Sequence, residues 1–330
     1  MNILLFFYII FLLLLISSAK SFSYYSKLLD SVNIEKVNVV VYFLPQRKDT
    51  NLLNMYLSMK NKKEEHSLSE AESVFLIYNW IAKNIEYDCT TINKEKSDDA
   101  LNTYNTGKGT YAGISDLFNN MCKYMNIKSY SIPGLVKKMY LYPNETITII
   151  DYIWNYIEIN NTYYLIDVSS ATGFCNYDKF IEVYSDVYFG TNPELFIRSH
   201  FPKNNTYQFL SKYITKEQFV SWAFLTDDFF SFGIKSISPD LLEINGTKET
   251  KFNITFDKSI KGHNFVEIIQ YLNGEVKMQN PLYSKYDKNG WVEIITDLSN
   301  ENISYYAIGD EKYQNSYTRI VIYKILHPIK

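Results

Sequence analysis

Few side chains in this chain could carry nucleophilic chemistry. It has three cysteines, Cys89, Cys122 and Cys175, and four histidines, His66, His200, His263 and His327. A thiol or hydroxyl attacks a carbonyl only when a neighbouring base takes its proton, so a cysteine site needs one of these imidazoles beside it. Cys122 falls on the apolar stripe of a helix and reads as inert core. No Cys/His cluster has zinc spacing, there is no EF-hand or Walker-type loop, and Gly107-Lys108-Gly109 is too short a glycine signal for phosphate, so neither metal nor cofactor is expected. Three cysteines allow at most one bridge and one free thiol, which excludes a disulfide framework.

The elements that must position these groups are legible in part. Ser67 and Glu70 have capping-box spacing, and Val74, Tyr78, Ala82 and Ile85 follow at every fourth position or close to it, which predicts an amphipathic helix from 67 to about 86. Ile114, Leu117, Phe118, Met121, Cys122 and Met125 mark one buried face of a second helix starting close to Thr110, after Gly107 and Gly109. Upstream, residues 37–44 read as a strand and residues 60–66 as a polar segment. Two β-branched and aromatic runs, 152–159 and 162–168, are separated by Asn160 and Asn161 alone, the signature of a two-residue hairpin. Its register faces Ile159 with Thr162, and by extension Trp154 with Asp167 and Tyr152 with Ser169. Period-2 alternation then puts Tyr152, Trp154 and Asp167 on one face, Tyr152 and Asp167 as diagonal neighbours roughly 7 Å apart. From 234 onward, alternating runs at 251–256, 264–272, 290–296 and 317–325 are separated by turn residues, the pattern of an all-β sandwich.

Five stretches in order resemble the transglutaminase-like superfamily in its kyphoscoliosis-peptidase and hillarin branch, over roughly residues 70–240. The stretch from Tyr78-Asn79-Trp80 to Ile85-Glu86-Tyr87-Asp88 is similar to the family helix ending in Ile-x-Tyr-Asp. Lys108-Gly109-Thr110-Tyr111-Ala112-Gly113 stands where the family has Gly, its nucleophilic Cys and a helix. Tyr152-Ile153-Trp154-Asn155 stands at the family's His-Ala-Trp-Asn, and Tyr164-Leu165-Ile166-Asp167 at the strand with the catalytic Asp. Phe196 to Pro202, then Tyr207 to Leu210, resemble the branch's His-Phe-Pro and Trp-Gln-Leu-Leu linker. Family chemistry is a Cys thiolate at a helix N-terminus paired with a His that an Asp orients. Carried over residue by residue, that triad fails twice: the nucleophile position is Thr110, the base position is Tyr152, and only Asp167 keeps the family identity. A threonine hydroxyl is un-ionised at neutral pH, and a tyrosine with a reference pKa of about 10 is protonated there and cannot serve as its base. The resemblance therefore implies a degenerate site and no turnover. The alternative is an active peptidase or protein-glutamine transferase with a rearranged nucleophile, Cys122 or Cys89 with one of the four histidines. Trp154 reads as a core aromatic of the sheet, His200 as a domain-linker residue, and Cys89 and Cys175 as a structural pair or as separate thiols.

The remaining features set compartment and partners. Residues 3–16 are almost uninterruptedly apolar and lead into Ser17, Ser18 and Ala19, a signal-peptide pattern shorter than the roughly 20 residues a membrane span needs. Asn-x-Ser/Thr sequons begin at Asn144, Asn160, Asn204, Asn245, Asn253 and Asn302 and agree with secretion. A net charge of −3 gives no case for nucleic acid or an anionic membrane. The expectation is a secreted α+β chain: signal peptide at 1–19, a variable lead-in at 20–66, a transglutaminase-like, papain-type domain with linker at 67–235, and an immunoglobulin-like β-sandwich at 236–330. No membrane span is expected after signal removal. Its function would be to bind an unidentified protein partner.

Overall fold

A computed structural model describes residues 26–90, 98–140, 146–176, 179–256, 265–287, 290–313 and 316–327; the apolar leader, Asn144 and His263 lie outside them. The described chain opens on helices. After α1 (Lys27–Asp30), most of the run expected as a strand falls in α2 (Ile34–Tyr42), capped by the Asn33 side chain. Val37 and Val40 are fully buried while Val39 is 52% exposed, the i,i+3 spacing of a helical face, so tertiary burial overrides β-branched propensity here. The polar segment at 60–66 is mostly the end of α3 (Leu52–Glu65), whose Met55, Tyr56 and Met59 point inward.

The N-cap of helix α4 (Glu70–Asn84) is Ser69, two residues later than the expected Ser67. Ser67-Leu68-Ser69-Glu70-Ala71-Glu72 contains two overlapping capping boxes, and the fold uses Ser69 with Glu72; Ser67, at φ +48°, lies outside the helix. Helix α5 (Ala100–Thr106) leads through Gly107, in the left-handed region at φ +71°, to α6 (Tyr111–Tyr124). Leu28, Val37, Val40, Met55 and Met59 share one core with Val74, Ile77, Ile114, Leu117 and Phe118. The lead-in is therefore built into the helical core, and removing it would uncover α4.

A five-stranded antiparallel sheet backs these helices. Its strands are β1 (Lys128–Tyr140), β2 (Thr146–Ile159), β3 (Thr162–Ile166), β4 (Phe189–Thr191) and β5 (His200–Pro202), in the order β4-β3-β2-β1-β5. The hairpin register is as read from the sequence from Ile159 opposite Thr162 to Asn155 opposite Ile166, with Asn160 and Asn161 at φ +51° and +58°, but the expected pairs Trp154–Asp167 and Tyr152–Ser169 do not form. Beyond Ile166 the ladder ends, and the Asp167 amide turns to donate to Tyr188 O at 3.1 Å. The segment expected as a linker supplies β5, which pairs with β1 (Val136 opposite His200).

The C-terminal region is β-rich. One sheet runs β6-β15-β14-β10-β11, from β6 (Phe224–Leu225), β10 (Phe265–Tyr271), β11 (Val276–Gln279), β14 (Ile303–Tyr313) and β15 (Ser316–Leu326), with β8 (Glu243–Asn245) parallel beside β15. The other runs β7-β9-β13-β12, from β7 (Ile234–Ser238), β9 (Thr250–Phe256), β12 (Tyr283–Asp287) and β13 (Trp291–Thr296). Phe252, Ile254, Val292 and Ile294 of one sheet meet Phe265, Tyr306, Ile308 and Tyr323 of the other in a common core. Strand β6 joins this region from upstream of residue 236. Where the two halves meet, Lys137 Nζ donates to Trp222 O at 2.7 Å and Arg198 pairs with Asp240.

Candidate functional site

Thr110 is the N-cap of α6, its hydroxyl accepting from the Ala112 amide at 3.2 Å. That placement follows from local sequence: a left-handed Gly107 turns the chain out of α5, and Lys108-Gly109 pairs with Glu86-Tyr87 in a short parallel ladder before the helix begins. The Thr110 hydroxyl donates to Asp98 Oδ2, which also accepts the Thr110 amide at 2.8 Å. A β-carbon at Gly113 would collide with Asp98 Oδ1, so glycine is what lets that carboxylate lie over the helix start.

Asp167 lies across the site at the end of β3, fully buried. Oδ1 accepts from the amides of Ser169 (2.9 Å) and Ser170 (3.2 Å), and Oδ2 from the Ser170 hydroxyl and from His200 Nε2 at 3.1 Å. His200 is also buried, and its Nδ1 is 2.7 Å from Ser199 Oγ. Burial works against the Asp167 carboxylate, but the hydrogen bond from His200, the positive charge of Lys138 nearby and the Ser170 hydroxyl together outweigh it and hold the group below its usual range. Burial also lowers His200, against the pull of Asp167, so the imidazole is neutral. A neutral ring with Nε2–H donated to Asp167 has Nδ1 free to accept from Ser199. The ring is boxed by Phe196, Tyr188 and Trp154 at centroid distances of 4.2, 5.0 and 5.1 Å. Trp154, 1% exposed, lies across β1 where a β-carbon on Gly134 would meet its ring at 2.1 Å, and is a core residue.

Tyr152 packs between these two ends, its ring 4.7 Å from Tyr111 and 6.1 Å from His200, with Lys138 Nζ 4.5 Å above it. Its hydroxyl lies near those of Ser169 and Ser170 without forming a hydrogen bond of ordinary geometry among the described residues. Burial raises it well above the ordinary phenol range, so it remains protonated at neutral pH. The fold thus gathers Thr110, Tyr152 and Asp167 around one region and adds two groups that sequence reasoning missed there, Asp98 and His200. Asp98 carried no motif. His200 carried the His-Phe-Pro signal and was assigned to a linker, whereas β5 brings it onto Asp167.

The cysteines sit elsewhere. Cys89 and Cys175 form a disulfide, and Cys122 is the free thiol, buried in the helical core, where burial pushes it up to about 12. His66 ends α3 and His327 Nε2 faces Ile303 O at 2.9 Å, so neither is bonded to a cysteine or to Thr110. Among the described residues no group of three or more His, Cys, Asp or Glu could hold a metal ion, and no helix is long and apolar enough to cross a membrane.

Comparison with known proteins bears on this arrangement. The model of the transglutaminase-like superfamily matches residues 58–168. Kyphoscoliosis peptidase of Mus musculus is 30% identical over 203 residues, covering 59% of this chain and 30% of the relative; the Homo sapiens protein is 29% identical over the same span. The chain therefore spans about 30% of the length of these curated relatives. The crystal structure of a TGase aligns over 56% of this chain and 43% of that one at 15% identity, with a TM-score of 0.28. Residues 58–168 thus match the transglutaminase-like superfamily, and over 203 residues the chain is similar to kyphoscoliosis peptidases.

Proposed function

We propose that this chain is a secreted transglutaminase-like protein that binds a protein partner without turning it over. The observation that carries this reading is at Thr110: the hydroxyl in the nucleophile position is bonded to Asp98 and to a backbone amide, with no imidazole bonded to it among the described residues. Tyr152, in the base position, is buried and protonated. Loss of single members of such catalytic units costs several orders of magnitude in rate, so a site lacking two is expected to be inactive. The Cys89–Cys175 disulfide and the sequons favour an oxidising, extracellular compartment. The partner would meet the degenerate site or the C-terminal sheets, which we read as an immunoglobulin-like sandwich, at a cell surface, wall or matrix.

A second reading has its own observation. Ser199 Oγ, His200 and Asp167 are linked in the order of a hydroxyl nucleophile, base and orienting acid. Ser199 is only 5% exposed, which argues against substrate access. The deciding experiment assays the purified exported chain for peptide hydrolysis and for amine incorporation into glutamine peptides, beside Thr110→Ala, Cys122→Ala and Ser199→Ala. Blank-level rates in all four proteins support the binding reading. Turnover abolished by one substitution overturns it and names the nucleophile.

A further inference from the structure

On the sheet face opposite α6, near the Asn160-Asn161 turn, five aromatic rings form one continuous patch. Tyr130 stacks on Tyr156 at 4.9 Å, and Tyr156 meets Tyr163, Tyr207 and Phe209 at 5.8, 5.7 and 5.4 Å. Tyr163 and Phe209 stack at 5.1 Å, closing the group. Tyr130 and Tyr163 remain 46% and 49% exposed, a contiguous aromatic surface of the kind that calls for a cover. Two sequons stand at its rim. Asn160, exposed in the hairpin turn, precedes Tyr163 by three residues. Asn204 shares a turn with Tyr207, whose amide donates to Asn204 O at 3.1 Å. Within this second sequon the Thr206 amide and hydroxyl both donate to Asn204 Oδ1, at 3.0 and 2.9 Å, so those bonds leave out the amide nitrogen that would bear a sugar. The other exposed sequons, Asn245 and Asn302, lie in the C-terminal region, and Asn253 is half-buried within β9.

We infer that Asn160 and Asn204 carry N-linked glycans whose first sugars lie over this aromatic patch. A sugar presents a face of C–H groups that packs on the electron-rich face of a ring while its hydroxyls stay in water, and a glycan is bulky and solubilising. The inference rests on the secretory reading, and its test keeps the two apart. The full chain is expressed in eukaryotic cells behind its own N-terminal segment and, in parallel, behind an unrelated signal peptide. Export failing only behind its own segment overturns the secretory reading and leaves the second arm to test the patch. Glycopeptide mass spectrometry of the exported protein should find both Asn160 and Asn204 modified; two bare asparagines overturn the inference. Native removal of the glycans by an amidase should raise nitration of Tyr130 and Tyr163 by tetranitromethane several-fold. Unchanged nitration of a chain shown to have been glycosylated overturns the packing of sugar on ring. In a Tyr163→Ser, Phe209→Ser variant, deglycosylation should no longer change thermal stability as it does in the parent.

Discussion

The two ends of the site are held by different kinds of structure. At the helix end, Thr110 is fixed by partners within about a turn of sequence or a dozen residues: the Ala112 amide and Asp98. At the sheet end, Asp167 is fixed by local amides of Ser169 and Ser170 and also by His200, 33 residues away and fully buried. The family chemistry would need these ends to cooperate. Here each is satisfied internally, the helix end by a carboxylate and the sheet end by an imidazole on its far side. The contrast teaches that polar groups at two ends of one site can each be satisfied by the fold, one from nearby in the chain and one from a distant strand.

The largest effect should come from unbalancing the sheet end. Asp167→Ala leaves the His200 N–H, the Ser170 hydroxyl and two amides without their buried acceptor, and should cost about 1–3 kcal/mol in urea unfolding for each donor left unsatisfied. A cost near zero would mean that this end is not held as described. Next, the Cys89–Cys175 bridge, 86 residues apart in sequence, ties the chain following the Glu86-Tyr87 ladder to the segment that follows Asp167. Cys89→Ala with Cys175→Ala should lower stability by roughly 2–4 kcal/mol, read by thermal or urea denaturation.

A smaller effect appears only in acid. The folded His200 pKa lies below its unfolded value, so as pH falls through about 6.5 the unfolded chain binds a proton that the folded chain does not, and stability declines. Asp167, also lowered, adds loss of the same sign as pH falls through its unfolded value near 3.9. Comparing His200→Gln with the parent between pH 7 and 5 should show a flatter slope in the variant; equal slopes would remove His200 as the source. The smallest effect belongs to the helix end, where Thr110→Ala removes an N-cap worth about 1 kcal/mol. Thr110→Ser should be nearly neutral because it keeps the cap, so a large loss there would show that this end depends on more than its local bonds.

The local elements of this comparison were readable from residue order. Five apolar positions of α6 and its C-cap Met125 recur at helical spacing, and all six are buried. Thr110 as the start of that helix, and the β2–β3 register through two asparagines at positive φ, follow from interactions spanning a few residues. Four C-terminal strands, β9, β10, β13 and β15, match the alternating runs to within about a residue, while the others carry no individual signal. Where sequence offered two equal local answers, as with the overlapping capping boxes at Ser67 and Ser69, only packing chose between them.

What tertiary structure alone decided is set by contacts between distant segments. Residues 37–44 are β-branched and apolar enough to read as a strand, and 37–42 become a helix because Val37 and Val40 are buried in the core shared with α4. His200 acquires its role because β5 pairs with β1 while Asp167 leaves the ladder one residue after Ile166; neither event has a local sequence signal. Asp98 reaches Thr110 because Gly113 leaves room for a carboxylate. Sequence by itself determined most of the elements around the site and the residue types at Thr110, Tyr152 and Asp167, since periodicity and residue identity are local. The partners those positions received were decided by the fold, because a hydrogen bond or ion pair depends on distances in space that residue order does not encode.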